Sequence, residues 1–155
     1  MKKVLLALVA VSAAGYGVYR WQSTEAPAPA TSDSKLVQDR LWIDHIPRSE
    51  RDTIQIFAAL TEQPVGVFQA SSVWRGQFEL FKYEAHGEEL RVVFPQDGAK
   101  EKLRAKATRC NKSGMDFCLE LEGSSRGVKK YYSREGWEIG SVRELDTLKT
   151  KLLVE

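Results

Sequence analysis

Beyond plain acids and bases, the side-chain chemistry this sequence can offer rests on two histidines and two cysteines. Asp44 and His45 stand side by side, an acid next to an imidazole that could steer a proton if the fold brought a nucleophile to them. Adjacent side chains seldom point together, so the pair alone is not a catalytic dyad. His86 lies in Ala85-His86-Gly87-Glu88, which reads as a solvated hairpin loop. Neither histidine has metal-ligand spacing, and a nucleophile elbow, a P-loop and a dinucleotide fingerprint are all missing. Gly123-Ser124-Ser125-Arg126-Gly127 is glycine-rich but joins two expected strands, whereas phosphate cradles precede a helix. Glu88, Glu89, Glu120 and Glu122 show no pattern that separates an acid from a base. They fit strand exteriors, with Arg104 and Lys106 as natural partners of Glu120 and Glu122. The expectation is no enzyme, no catalytic residue, no metal and no cofactor.

Cys110 and Cys118 point to a structural disulfide. Along Lys102 to Cys110, Leu103, Ala105 and Ala107 share one face, and Arg104, Lys106, Thr108 and Cys110 the other. Along Met115 to Glu122, Met115, Phe117, Leu119 and Leu121 oppose Asp116, Cys118, Glu120 and Glu122. Each cysteine thus sits on the polar face of its strand, and Asn111-Lys112-Ser113-Gly114 supplies the turn between them. A cross-strand bridge follows from this arrangement; a redox pair would want C-x-x-C spacing, and a metal site more ligands.

Aromatic residues are the remaining resource. Trp42, Trp74, Trp137, Phe78, Phe94, Phe117 and Tyr132 could line a cavity for an apolar ligand, with Ala105 and Ala107 leaving space beside them. The candidate ligand-binding set is Trp74, Phe78, Phe94, Ala105 and Phe117. The competing expectation is that large aromatics against small alanines simply fill the core. Tyr131 and Tyr132 with Lys129 and Lys130 form a second candidate, an exposed edge patch for a protein or glycan partner.

The elements that must position these residues are short strands. Period-two runs occupy 53–60, 64–71, 73–84, 88–95, 101–110, 115–122 and 126–133, with a short piece around Trp137 to Ile139. Gly or Pro punctuates the joins, as in Gln63-Pro64, His86-Gly87 and Ser113-Gly114. Leu90, Val92 and Phe94 oppose Glu89 and Arg91, while Trp74, Phe78 and Leu80 oppose Arg75, Gln77 and Glu79, which assigns the first of each pair of sets to a buried face. Phe81 and Tyr83 break that phase and suggest a bulge or two-sided burial near Leu80 to Lys82. After Ser141-Val142-Arg143-Glu144, a capping-box spacing, Val142, Leu145, Leu148 and Leu152 recur at helical intervals, so an amphipathic helix is expected over 141–154. Ser34 to Ile43 reads as a short helix that feeds Trp42 and Ile43 into the core and stops at Pro47. The fold class is mainly β, a small antiparallel barrel or sandwich with a C-terminal helix. This order of elements resembles the calycin or lipocalin-like architecture, although the Gly-x-Trp expected near the first strand is absent and Leu41-Trp42-Ile43 stands in its place.

The rest of the chain bears on location. Residues 1–21 carry Lys2 and Lys3, then no charge from Val4 to Tyr19, then Arg20 and Trp21, the pattern of a signal anchor or signal peptide. The run continues past Val11-Ser12-Ala13 into aromatics, which favours an uncleaved membrane helix over a cut leader. Residues 22–34 alternate Pro with Ala and hold no large apolar residue, so they form a tether. Removing Lys2, Lys3 and Arg20 from the formal +2 leaves the remainder at −1, no footprint for nucleic acid. The expected protein is a membrane-tethered or secreted domain in the cell envelope or periplasm. It would bind an apolar small molecule or an envelope protein, or alternatively serve as an assembly subunit.

Overall fold

The computed structural model describes residues 33–154. The expected anchor at 1–21 and nearly all of the tether at 22–34 lie outside the described residues. Among the described residues, no helix is long and apolar enough to cross a membrane.

Eight antiparallel strands close into a barrel: β1 (Trp42–Ile43), β2 (Ile54–Leu60), β3 (Val65–Ser71), β4 (Gly76–His86), β5 (Glu89–Val93), β6 (Lys100–Lys112), β7 (Met115–Glu122) and β8 (Lys130–Ser133). A helix, α1 (Val142–Val154), follows. Between a barrel and a sandwich, the chain forms the barrel. Closure depends on β1, which pairs Trp42 with Phe57 and Ile43 with Ile56 on one side and Ile43 with Tyr132 on the other. Those residues were expected at the end of a helix. Only Ser34–Leu36 winds, as a single 3-10 turn, because Asp39 adopts φ 51° and its carboxylate accepts the Thr61 N–H at 2.8 Å. The chain leaves that turn extended, and Trp42 is still buried, its indole N–H donating to Val37 O at 3.0 Å. Closure also removes the proposed edge patch, because β8 has a neighbour on each side and Tyr131 is buried inside.

The core has two layers. Inside the barrel, Trp42, Phe57, Phe68, Phe81, Phe94 and Phe117 pack with the small Ala105 and Ala107. Outside it, α1 covers the opposite face of β1 and β2, where Leu145 meets Ile43, Ile54, Ile56 and Ala58. Strand β2 is therefore buried on both faces, which its near-continuous apolar run IQIFAAL required. Trp137 and Tyr132, expected as cavity lining, belong to this outer layer, and so does Met115, expected to share the inner face with Phe117. The helix starts as its cap spacing predicted: Ser141 Oγ accepts the Glu144 N–H at 3.3 Å, while the Glu144 carboxylate accepts the Gly140 N–H at 2.6 Å.

Strand β4 reverses the expected phase. Its register with β3 and β5 is continuous, with no bulge near Leu80 to Lys82, and Phe81 and Tyr83 point inward while Phe78 and Leu80 point out. The physical reason is opposite Phe81: Gly66 has no side chain, and a Cβ there would lie 2.1 Å from the Phe81 ring. Tyr83 adds a hydrogen bond from its hydroxyl to Leu60 O at 2.8 Å. The irregularity that does occur lies in β6, between Arg109 and Lys112. Beside it, Cys110 and Cys118 form the expected disulfide across the β6–β7 hairpin, with Cα atoms 5.7 Å apart.

Candidate functional site

The five residues expected to line one ligand site fall into two places. Phe94, Ala105 and Phe117 lie in the barrel interior, whereas Trp74 and Phe78 face outward and are 69% and 61% exposed. The interior group sits among packed rings. Phe57, Phe68, Phe81, Phe94 and Tyr131 form a continuous cluster with ring centroids 5.3 to 6.3 Å apart, the spacing of packed aromatics. Burial pushes the Tyr131 hydroxyl up to about 12, although it accepts the Val128 N–H at 2.9 Å.

Both ends of this core are covered by arginines. Arg126 lies 3.5 Å above the centre of the Phe94 ring and is held by the carboxylates of Glu79, Asp97 and Glu101. Glu101 in turn accepts from Ser124 and Ser125, which ties the 123–127 loop across that end. Asp97 is held below the usual carboxylate range, first by the Ala99 N–H it accepts at 2.9 Å and then by Arg126. Arg40, itself buried, lies 4.2 Å from the centre of the Phe117 ring, donates to Arg134 O at 2.7 Å and pairs with Glu138.

His45 and Asp44 do come together. Imidazole Nδ1 lies 2.9 Å from Asp44 Oδ1, and Nε2 lies 3.2 Å from Asp52 Oδ2. Both carboxylates are also anchored to backbone, Asp44 accepting the Gln55 N–H at 2.8 Å and Asp52 the Arg48 N–H at 3.0 Å. With both ring nitrogens facing carboxylates, His45 clips the loop between β1 and β2. His86 stays on the surface, 3.9 Å from Glu84. Among the described residues, no three His, Cys, Asp or Glu side chains are grouped to hold a metal ion.

The concavities open on the outside. One is an apolar groove of about 310 Å³ between α1 and the outer faces of β3 and β4, bounded by Val67, Phe78, Leu80, Val142 and Leu145. It adjoins a second hollow at the far end of α1, where Trp74 and Val73 face Leu153 and Val154. At its other side it shares Val65 with a broad saddle on β4, β5 and β6 that carries Lys82, Arg91, Lys100 and Lys102. Leu80 and Val142 had no place in the site expected from the sequence. The signal that could have found Leu80 was the conflict of phase in β4: two apolar residues on each face mean that one pair must face out.

Arg104 and Lys106 stand directly opposite Glu122 and Glu120, as their spacing predicted. They do not close to ion pairs, and Glu120 instead lies 3.6 Å from Lys130. Compared with known protein families, curated proteins and solved structures, the chain matches none.

Proposed function

We propose that the chain is an extracytoplasmic binding module, tethered through its leader, whose working surface is the outer wall beside α1 rather than the barrel interior. One observation carries this reading. Phe78, Leu80 and Val142 stand exposed around one groove, with Trp74 exposed in the hollow that adjoins it, while the aromatics inside the barrel are packed and capped at both ends. Large apolar residues clustered on a surface mark an interaction site, whereas scattered ones do not. The disulfide fits an oxidising compartment, and the uncharged run from Val4 to Tyr19 supplies the means of export. No catalytic role is proposed for Asp44 and His45, because both carboxylates and both ring nitrogens are occupied with one another and with backbone.

The test is site-specific photo-cross-linking of the full chain in its native envelope. A photoreactive residue at Phe78 is expected to give a discrete adduct, and one at Phe94 none. An adduct from Phe94, or silence from Phe78, would overturn the assignment of the surface.

A further inference from the structure

We infer that the partner of this surface is an anionic membrane leaflet, onto which the outer wall of β4 docks side-on; this rests on the binding reading above. The geometry runs along one strand. Trp74 in the bend before β4, then Phe78 and Leu80 on its outer face, form an exposed apolar line that ends at Lys82. At about 3.3 Å per residue the strand part of the line, from Gly76 to Lys82, is on the order of 20 Å long, and Trp74 extends it from the bend. Beyond Leu80 the character changes from apolar to cationic. Lys82, Val93 and Lys100 form one cross-strand row, and Glu84, Arg91 and Lys102 the next.

Four cations, Lys82, Arg91, Lys100 and Lys102, line that saddle against two carboxylates, Glu84 and Glu101, and Glu101 is already bound to Arg126, while Lys102 feels the charge of Glu89 only at longer range. Arg91 is engaged by Glu89 at 2.8 Å, and Glu84 faces His86 at 3.9 Å. Among the described residues, Lys82, Lys100 and Lys102 make no ion pair, although a chain this rich in carboxylates could have supplied partners. Aromatic and aliphatic side chains beside unneutralised lysines are the composition of surfaces that lie in the headgroup region of anionic bilayers. An apolar protein helix would fill the groove and leave these cations unanswered. An anionic leaflet answers both, taking the apolar line into its acyl boundary and the lysines onto its phosphates.

The full chain reconstituted into vesicles tests this through Trp74. The vesicles are phosphatidylcholine with brominated acyl chains, alone or with one-third phosphatidylglycerol. The Trp74 signal is the difference between the chain and its Trp74→Phe variant, which removes the contributions of the other tryptophans. Trp74 is expected to be quenched by the brominated chains with phosphatidylglycerol present and, without it, to enter the bilayer at least about 25-fold more weakly, the product of two or more cations at about fivefold each. In Lys82→Glu/Lys102→Glu, whose thermal midpoint checks that it is folded, quenching should fall to the level seen without phosphatidylglycerol. Each cation near such a surface contributes roughly a fivefold change in partitioning. Quenching that is equal in both vesicles, or Trp74 open to acrylamide in both, overturns the inference. Trp74 shielded from bromine and acrylamide alike means that protein covers it, which overturns the leaflet and leaves the binding reading standing. A chain that does not stay with pure phosphatidylcholine overturns the tether alone, and the leaflet assignment then stands or falls on whether phosphatidylglycerol recruits the chain.

Discussion

His45 faces a carboxylate from each ring nitrogen, so the clip on the β1–β2 loop is complete only when the imidazole is protonated. Partial burial works against the charge, but the hydrogen bonds and charges of Asp52 and Asp44 outweigh it and raise the group above its ordinary 6.5. A raised folded value means that the clip's stabilisation is full below 6.5 and is lost as pH rises through the folded value. The thermal midpoint should therefore decline as the solution passes to the alkaline side of 6.5, and His45→Gln should remove that decline. A second prediction concerns Gly66. A Cβ there would stand 2.1 Å from the Phe81 ring and 2.6 Å from Ala58 O, so Gly66→Ala should cost about 2–3 kcal/mol in urea denaturation, the cost of overpacking against a rigid neighbour. At this scale the sequence was only half readable. Asp44 beside His45 was visible, but Asp52 arrives by loop closure, and no local pattern announces a partner seven residues on.

Among the elements, the β6–β7 hairpin was the most legible, because alternation, turn and cysteine faces all pointed to one hairpin; only the irregularity between Arg109 and Lys112, which turns Met115 outward, was not announced. Cys110→Ala/Cys118→Ala should lose about 2–3 kcal/mol by urea denaturation, the usual effect of opening so short a loop. The helix α1 was legible for the same reason: its cap and its apolar period point to the same span. Leu145 is its one buried side chain, and Leu145→Ala should cost about 2–5 kcal/mol. β1 was not legible. Two residues carry no period, and what makes Trp42–Ile43 a strand is the pair of neighbours waiting at Ile56–Phe57 and Tyr132. In β4 the local pattern was ambiguous, because Phe78 and Leu80 have the same hydrophobic weight as Phe81 and Tyr83. A small residue on the adjacent strand, Gly66, selected the inward pair. That one inversion sets Phe78, with Trp74 beyond it, on the outer wall, apart from Phe94, Ala105 and Phe117 inside.

For the whole molecule, a mainly β domain with a C-terminal helix followed from the spacing of strands, while barrel closure depended on long-range pairing that spacing does not encode. The filled interior and the open outer wall are two sides of the same choice in β4. If Phe81 and Tyr83 fill the barrel, Phe78 and Leu80 are left for something else. The most direct measurement of that claim is urea denaturation of Phe78→Ser/Leu80→Ser beside Phe81→Ala. The account predicts that the outer pair changes stability by no more than about 1 kcal/mol, as surface positions do, while Phe81→Ala costs about 3–5 kcal/mol. A loss of several kcal/mol from the outer pair, with Phe81→Ala tolerated, would mean that the strand faces the other way and would contradict the account.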